Sequence, residues 1–378
     1  MLPARNRDRI SLADVLPSCL AALQSEENRM RLPRADRIVL VLVDGLGAVS
    51  LKARSGHART LAGALTAATT VDSGFPTTTA SALATLTTGE FPGQTGMLGY
   101  SVLDAANDRL VNQLSGWDAD LDPLTWQRRP TLFQAAVELG LQAVVIGPAR
   151  YGDSGFTHAV LRGAAYRPAA TIQDRFDAAS AWLREPGPPG LAYLYVPELD
   201  SAAHAHGWES AEWTERLEVV DGAIRQLVGG LGRSHALILT ADHGVIDIPT
   251  RQHVLIDGDP GLVDGVRFVG GEPRCLQLYF EPGLDGAARE ALVERWRESE
   301  SDRSWVATRA EAIEADWFGD VDPVVEPRIG DLLVAARKNI AYYDTRTAKH
   351  GSRDMIGQHG SWSPAERQVP MLRFGAFA

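Results

Sequence analysis

The sequence predicts an α/β fold with a mostly parallel central sheet, helices on both faces and a small inserted α+β subdomain. The first observation is a continuous apolar, largely β-branched run at residues 37–43, which is typical of a strand buried on both faces. The second is the alternation of such runs with stretches of helical character, as expected when helices connect parallel strands. The third is a change of sequence character after Gly244, where glycine and proline become frequent.

The remaining elements are predicted in chain order from the same patterns. Further buried strands are expected at residues 143–146, 191–196 and 236–240, with helices at residues 131–139, 172–184 and 211–231. After the Gly/Pro-rich residues 257–273, we expect a strand at 275–280, a charged helix near 287–298 and a strand at 330–336. The predicted division is a core of residues 1–250 and 330–378 and an insert of residues 251–329.

Composition and charge limit the possible partners. Apolar residues make up 45% of the 378 residues and charged residues 22%, which is ordinary for a globular chain and excludes a disordered or fibrous one. The net charge of −11, without a compensating basic run, opposes binding to nucleic acid or to an anionic membrane surface. Bound cations can invert the field at a site rich in carboxylates, so an acidic chain is compatible with a metal site.

Cysteine usage and the N-terminal residues predict a cytoplasmic protein. Cys19 and Cys275 are far apart in the sequence, so neither a disulfide framework nor a thiolate zinc site is expected. The first ten residues are charged and lack the apolar segment of a signal peptide. The longest apolar run, residues 38–43, is far too short to cross a bilayer.

Two groups of polar residues lie at predicted element ends. Asp44 directly follows the first strand, at the edge where the carboxyl ends of parallel strands form a ligand crevice. Residues 75–81 precede a helical segment at 82–86, and a helix N-terminus favours a bound phosphate that the Thr79 hydroxyl could reach. An ordinary Asp-Gly turn and an N-capping threonine are the competing interpretations, and each is the simpler one for its group taken alone.

A third group combines a carboxylate with imidazoles. Asp200 and His204 follow the predicted strand at 191–196 and are four residues apart, so one helical turn brings both within reach of a single cation. His206 falls on a different face and is expected to be structural or to support a ligand. A surface ion pair at helical spacing is the competing interpretation of this group.

A fourth group follows the predicted strand at 236–240. Asp242 and His243 are adjacent there, and Gly244 permits the turn that would let both bind one ion. His359 lies between glycines near the C-terminus, where the backbone can approach a site closely, and His350 competes for the same role. Each group can be explained without function, but all of them fall where one crevice of an α/β sheet would gather them.

In order and spacing these residues resemble the alkaline phosphatase superfamily, most closely its nucleotide pyrophosphatase/phosphodiesterase branch. That branch has an Asp after the first strand, a Pro-Thr-x-Thr stretch followed by Thr-Gly, an Asp-x-x-x-His-x-x-Gly, an Asp-His-Gly and a late Gly-x-His-Gly. In this chain the matching positions are Asp44, residues 76–79 with Thr88-Gly89, and residues 200–207, 242–244 and 357–360. The resemblance extends from Asp44 to about Pro370.

The resemblance implies two divalent metal ions, most readily zinc, with manganese as the alternative. It implies that one ion is held by Asp44, Asp242 and His243, and the other by Asp200, His204 and His359. Thr79 would contact the metal ions and act as the nucleophile, and Tyr195 would line the base pocket of a nucleotide. Ala80 and Tyr100 occupy the substrate-facing positions where relatives tend to have an aromatic residue and an asparagine.

The expected function is therefore a metal-dependent hydrolase of phosphate esters, a phosphodiesterase or nucleotide pyrophosphatase that forms a phosphothreonine intermediate. A phosphomonoesterase or phosphomutase of the same fold is the first alternative. A non-catalytic metal-binding or phosphate-binding module is the second. The expected partner is a small phosphate ester or a nucleotide, with no nucleic acid and no membrane.

Overall fold

The computed structural model describes residues 1–346 and 353–378. The strands of these residues, in chain order, are β1 (Arg37–Val43), β2 (Thr70–Asp72), β3 (Ser101–Asp104), β4 (Arg109–Asn112), β5 (Gln142–Gly147), β6 (Ala165–Pro168), β7 (Gly190–Val196), β8 (His235–Thr240), β9 (Ile246–Asp247), β10 (His253–Leu255), β11 (Val266–Glu272), β12 (Cys275–Phe280), β13 (Ser304–Thr308), β14 (Leu332–Ala336), β15 (Ala341–Tyr343), β16 (Gly357–Gln358) and β17 (Gln368–Gly375). His350, the predicted competitor of His359, lies outside the described residues.

The α-helices of the same residues are α1 (Val15–Gln24), α2 (Ala48–Ala53), α3 (Arg59–Ala64), α4 (Thr79–Thr88), α5 (Pro92–Thr95), α6 (Pro123–Trp126), α7 (Leu132–Glu138), α8 (Gly155–Val160), α9 (Ile172–Arg184), α10 (Glu198–His206), α11 (Ala211–Gly229), α12 (Pro260–Val263), α13 (Gly286–Glu300), α14 (Arg309–Glu314) and α15 (Pro364–Arg367). Short 3-10 helices occur at Leu12–Asp14, Ala149–Tyr151, Thr250–Gln252, Ile256–Gly258 and Glu326–Arg328. No helix among these residues has the length and apolarity needed to span a membrane.

A seven-stranded sheet with the order β2-β17-β8-β1-β7-β5-β6 lies at the centre of the molecule. Strands β8, β1, β7, β5 and β6 are parallel to one another, while β17 is antiparallel to both β8 and β2. Every residue of β1 is buried, so both faces of the sheet are covered. The predicted α/β fold with a mostly parallel sheet is confirmed.

Two sets of helices cover the sheet. Helices α1 and α7 pack on β1, β7 and β5, and α4 packs on α1 and α7. Helix α9 packs on β5 and β7, and α11 lies against α9, α10 and α3. The predicted helix starts are visible as capping boxes at Thr131 and Thr171, where a threonine hydroxyl accepts from the third helical N–H.

A second, antiparallel sheet has the order β11-β12-β14-β13 and packs against α13 through its own hydrophobic cluster. Its strand β14 falls within the residues that the predicted limits assign to the core, yet it pairs with β12 and β13. By its pairing, Leu332–Ala336 therefore belongs with the small sheet. The division of the chain into a core and an insert stays a prediction.

Candidate active site

Three neighbouring strands of the central sheet deliver the predicted carboxylates to one edge. Asp44 directly follows β1, Asp242 lies two residues after β8, and Asp200 is the third residue of α10, which follows β7. Since β8, β1 and β7 are adjacent and parallel, their carboxyl ends open at the same edge of the sheet. The sheet order therefore explains why residues far apart in sequence meet.

Asp44, Asp242 and His243 form the first group. One ligand atom from each lies within 4.8 Å of the others, and all three residues are buried. His243 Nε2 lies 3.5 Å from Asp44 Oδ1 and 3.4 Å from Asp242 Oδ2. The geometry supports the predicted composition of this metal-ligand set.

The second group consists of Asp200, His243 and His359, whose ligand atoms also lie within 4.8 Å of one another. His243 thus belongs to both groups, and its ring stacks on that of His359 with centroids 3.7 Å apart. The predicted third ligand, His204, lies beside the group, with Nε2 at 3.2 Å from Asp200 Oδ2. His206 is exposed at the end of α10 and is part of neither group.

Backbone carbonyls orient the three imidazoles. The Nδ1 atoms of His204, His359 and His243 contact the carbonyl oxygens of Gly357 (2.8 Å), Thr77 (2.8 Å) and Gly244 (3.2 Å). Because a carbonyl oxygen only accepts, Nδ1 carries a proton in each case, and in the neutral imidazole Nε2 then has the lone pair. This is the tautomer that binds a metal ion through Nε2.

Thr79 is the first residue of α4, and its hydroxyl lies 3.2 Å from His243 Nε2. The preceding Thr77 ties this loop to the chain beside His359, because its hydroxyl donates to the Ser361 carbonyl at 2.8 Å and accepts from the Gly360 N–H at 3.0 Å. The predicted nucleophile is therefore held next to both ligand groups.

The polar atoms of this site are suited to cations. The oxygens Asp44 Oδ1, Asp200 Oδ1 and Asp242 Oδ2 are buried and have no hydrogen-bond partner, an arrangement that costs free energy unless a positive group is present. Burial raises the pKa of Asp44 well above its usual range, and the charges of Asp242 and Asp200 raise it further. Divalent cations bound between these carboxylates would remove the repulsion, so the donor set fits metal ions.

A cavity of about 510 Å³ opens beside the two groups and includes Asp44, Thr79 and Asp200 in its lining. Its walls are mostly aromatic and apolar, a composition common to small-molecule sites. Tyr195 lines it, as predicted, and its hydroxyl donates to Asp44 Oδ2.

Ala80 and Tyr100 do not line this cavity. Ala80 is fully buried in the main hydrophobic core, so its side chain offers no surface to a substrate. The physical reason is helix geometry, since successive residues of a helix point about 100° apart and, of these two neighbours, only Thr79 lines the cavity. Tyr100 is 45% exposed, and its N–H donates to Glu272 Oε2 at 2.9 Å. The predicted substrate contacts of these two residues have no support in the geometry.

Glu272, at the end of β11, is a residue near the site that the sequence motifs did not indicate. Its carboxyl group is buried, and burial raises its pKa to about 8. It packs so closely on Gly360 that a Cβ there would fall 2.4 Å from Glu272 Cγ. Because Gly360 follows His359, the small sheet contacts the ligand loop directly. No sequence pattern could have shown this, since the contact joins a strand end and a loop that are far apart in the sequence.

Comparison with known families agrees with this geometry. Residues 38–362 match the family described as type I phosphodiesterase / nucleotide pyrophosphatase. The chain belongs to this family. Among curated members, it is 30% identical over 119 residues to the mouse ectonucleotide pyrophosphatase/phosphodiesterase family member 1, covering 30% of the chain and 13% of that protein. It is 33% identical over 157 residues to the cattle bis(5'-adenosyl)-triphosphatase ENPP4, covering 36% of the chain and 35% of that protein. These matches span well under half of either relative.

Solved structures share this fold. The murine ectonucleotide pyrophosphatase/phosphodiesterase 5 superposes with a TM-score of 0.67 at 16% identity, covering 89% of this chain and 88% of that one. Phosphonoacetate hydrolase from Sinorhizobium meliloti 1021 superposes with a TM-score of 0.66 at 19% identity, covering 91% of each chain. The alkaline-phosphatase-like fold predicted from the motifs is thereby confirmed.

Proposed function

We propose that this family member is a metal-dependent phosphoric ester hydrolase, a phosphodiesterase or nucleotide pyrophosphatase with Thr79 as the nucleophile. The observation that carries the proposal is the position of the Thr79 hydroxyl, 3.2 Å from His243 Nε2 and beside three unpartnered carboxylate oxygens. A threonine that only capped its helix would not need these buried acids around it. Their uncompensated charge is what a phosphate-binding metal site requires.

The proposed reaction has two steps, each a displacement at phosphorus. The Thr79 oxygen attacks, an Oγ–P bond forms, the P–O bond to the leaving group breaks, and the threonine proton is lost. Water then attacks the phosphothreonine, the Oγ–P bond breaks, and the threonine regains a proton. The position of Thr79 at the start of α4 helps in both steps, because helix N–H groups favour the negative phosphoryl group.

Two divalent ions, most readily zinc, are proposed for the two ligand groups. Mixed carboxylate and imidazole donors suit zinc, and manganese is the alternative. Asp44, Asp242 and His243 would hold one ion, while Asp200, His359 and His204 would hold the other. When bound, such ions lower the pKa of a coordinated hydroxyl and offset the charge of a phosphoryl oxygen.

A nucleotide-like diester is the proposed substrate class. The cattle relative is named for hydrolysis of a bis-adenosyl triphosphate, and a neighbouring murine structure contains AMP. In this chain, the Tyr195 ring lines the cavity next to Asp44, where it can contact a planar base. We also propose a reducing, cytoplasmic environment, which the two free buried cysteines support.

The decisive variant is Thr79→Ala, with Thr79→Ser as its matched control. We expect Thr79→Ala to lose turnover of bis(p-nitrophenyl) phosphate while keeping nearly all of its metal content, because the carboxylate and imidazole ligands are untouched. Thr79→Ser keeps the hydroxyl and should retain measurable turnover. Near-normal activity of Thr79→Ala would disprove the nucleophile assignment.

Preference for p-nitrophenyl phosphate over the diester would instead indicate a phosphomonoesterase or phosphomutase. Metal uptake without turnover of either ester would indicate a non-catalytic binding module.

A further inference from the structure

The cavity beside Thr79 contains a single cationic side chain, Arg150, among the residues that line it. Arg150 is exposed and forms no ion pair with a carboxylate in residues 1–346 and 353–378. The nearby Glu198 is already paired with the fully buried Arg175. Arg150 therefore presents to the cavity a positive charge that no carboxylate of the described residues pairs with directly.

Aromatic rings fix the place of this charge relative to the nucleophile. The Arg150 guanidinium lies 4.7 Å from the Tyr151 ring centroid, and its Nη2 donates to the Tyr151 hydroxyl at 3.0 Å. Tyr151 meets Tyr195 edge to face, with centroids 5.9 Å apart, and Tyr195 donates to Asp44. The rings of Tyr151 and Tyr195 thus lie between Arg150 and Asp44 in this series of contacts, and Arg150 itself makes no hydrogen bond or ion pair with a described metal-ligand residue.

A second polar group in the same cavity lacks a partner. The Tyr193 hydroxyl is fully buried without a hydrogen bond, and the residue lines the cavity under the stacked ring of Tyr195. A buried hydroxyl of this kind costs free energy unless a ligand supplies an acceptor. A ligand in the cavity could supply that acceptor.

Resting on the proposed function, we propose that Arg150 binds an anionic oxyacid group, a phosphate or a carboxylate, carried by the substrate away from the reacting phosphorus. Guanidinium binds such groups through paired, charge-assisted hydrogen bonds. The preferred substrate is therefore a diester whose retained portion carries a second negative charge.

Three diesters with the same p-nitrophenol leaving group test this inference. Their second ester is phenyl, para-carboxyphenyl or para-phosphonophenyl, so only the remote charge differs. We expect the wild-type kcat/KM to favour at least one anionic diester by about tenfold or more, which corresponds to ~1.4 kcal/mol. The preference should arise mainly in KM. The anionic diester with the higher kcat/KM shows whether Arg150 binds a carboxylate or a phosphonate better.

Variants assign the preference to Arg150. Arg150→Gln should bring the ratio of anionic to neutral kcat/KM close to one, and Arg150→Lys should restore part of it. The matched control is Arg251→Gln, since Arg251 is also exposed but lies outside the cavity, and it should keep the wild-type ratio. Equal kcat/KM values for all three diesters, or an unchanged ratio in Arg150→Gln, would overturn the inference while leaving the hydrolase proposal intact. Absence of turnover on every diester would overturn the hydrolase proposal itself.

Discussion

Replacing Glu366 with alanine should strongly destabilise the fold around the His359 loop. Glu366 and Arg274 are both fully buried and form a bidentate pair, with Arg274 Nε and Nη2 each 2.8 Å from a carboxylate oxygen. Glu366 also accepts the Ser361 N–H at 2.9 Å, two residues after His359. Removing the carboxylate leaves a guanidinium buried without its counter-charge, which costs about 3–5 kcal/mol.

Urea denaturation followed by tryptophan fluorescence measures this loss, with metal content determined on the same samples. The matched control is Glu185→Ala, because Glu185 pairs with Arg167 at a solvent-accessible position and should contribute little to stability. Removing both partners in an Arg274→Met/Glu366→Leu variant should cost less than Glu366→Ala alone, since no unpaired charge stays buried. If Glu366→Ala lowers the unfolding free energy by less than about 1 kcal/mol, a buried, unpaired Arg274 is not as costly as expected.

Three further predictions concern the site. Gly244→Ala should destabilise the protein by about 1–3 kcal/mol, measured by urea denaturation, because its Cβ would fall 2.1 Å from the Ala365 carbonyl oxygen; Gly222→Ala, whose Cβ would meet open space, is the control. Burial raises the folded-state pKa of Glu272 to about 8, so this residue's contribution to stability is highest below its unfolded pKa near 4.5 and is lost as pH rises to about 8. As pH rises from 5 to 9, the unfolding free energy of Glu272→Gln should therefore increase relative to that of the wild type. A difference between the two proteins that stays constant over this range would contradict this. Chelation should lower the melting temperature and zinc should restore it, because zinc at a free concentration of 100 Kd stabilises the folded protein by about 2.7 kcal/mol. The same zinc-induced rise of the melting temperature in Asp242→Asn would contradict the ligand assignment.

The buried parallel strands were the elements best predicted from sequence. Strand β1 has the predicted bounds because the six consecutive apolar positions after Arg37 are typical of a strand buried on both faces. Strands β11 and β17 were missed for local reasons, since β11 contains two adjacent glycines and β17 contains Pro370. Glycine and proline are disfavoured inside strands, so the sequence of β11 and β17 does not resemble a strand. Pairing with β12 and β8 stabilises these two strands in the fold.

The candidate site was predictable where a residue follows a strand and unpredictable where the geometry depends on distant packing. Asp44 and Asp242 could be placed because strand ends in a parallel sheet share one edge. The sharing of His243 between both groups depends on its stacking with His359, which no spacing encodes. The substrate contact predicted for Ala80 has no support in the geometry, because sequence adjacency to Thr79 does not give a shared helix face.

Anomalous diffraction from zinc-loaded crystals would locate the metal ions. Two zinc peaks are expected next to the Thr79 hydroxyl, one contacting Asp44 and Asp242 and the other contacting Asp200 and His359. Absence of both peaks from this site, or zinc bound only at surface residues, would contradict this expectation.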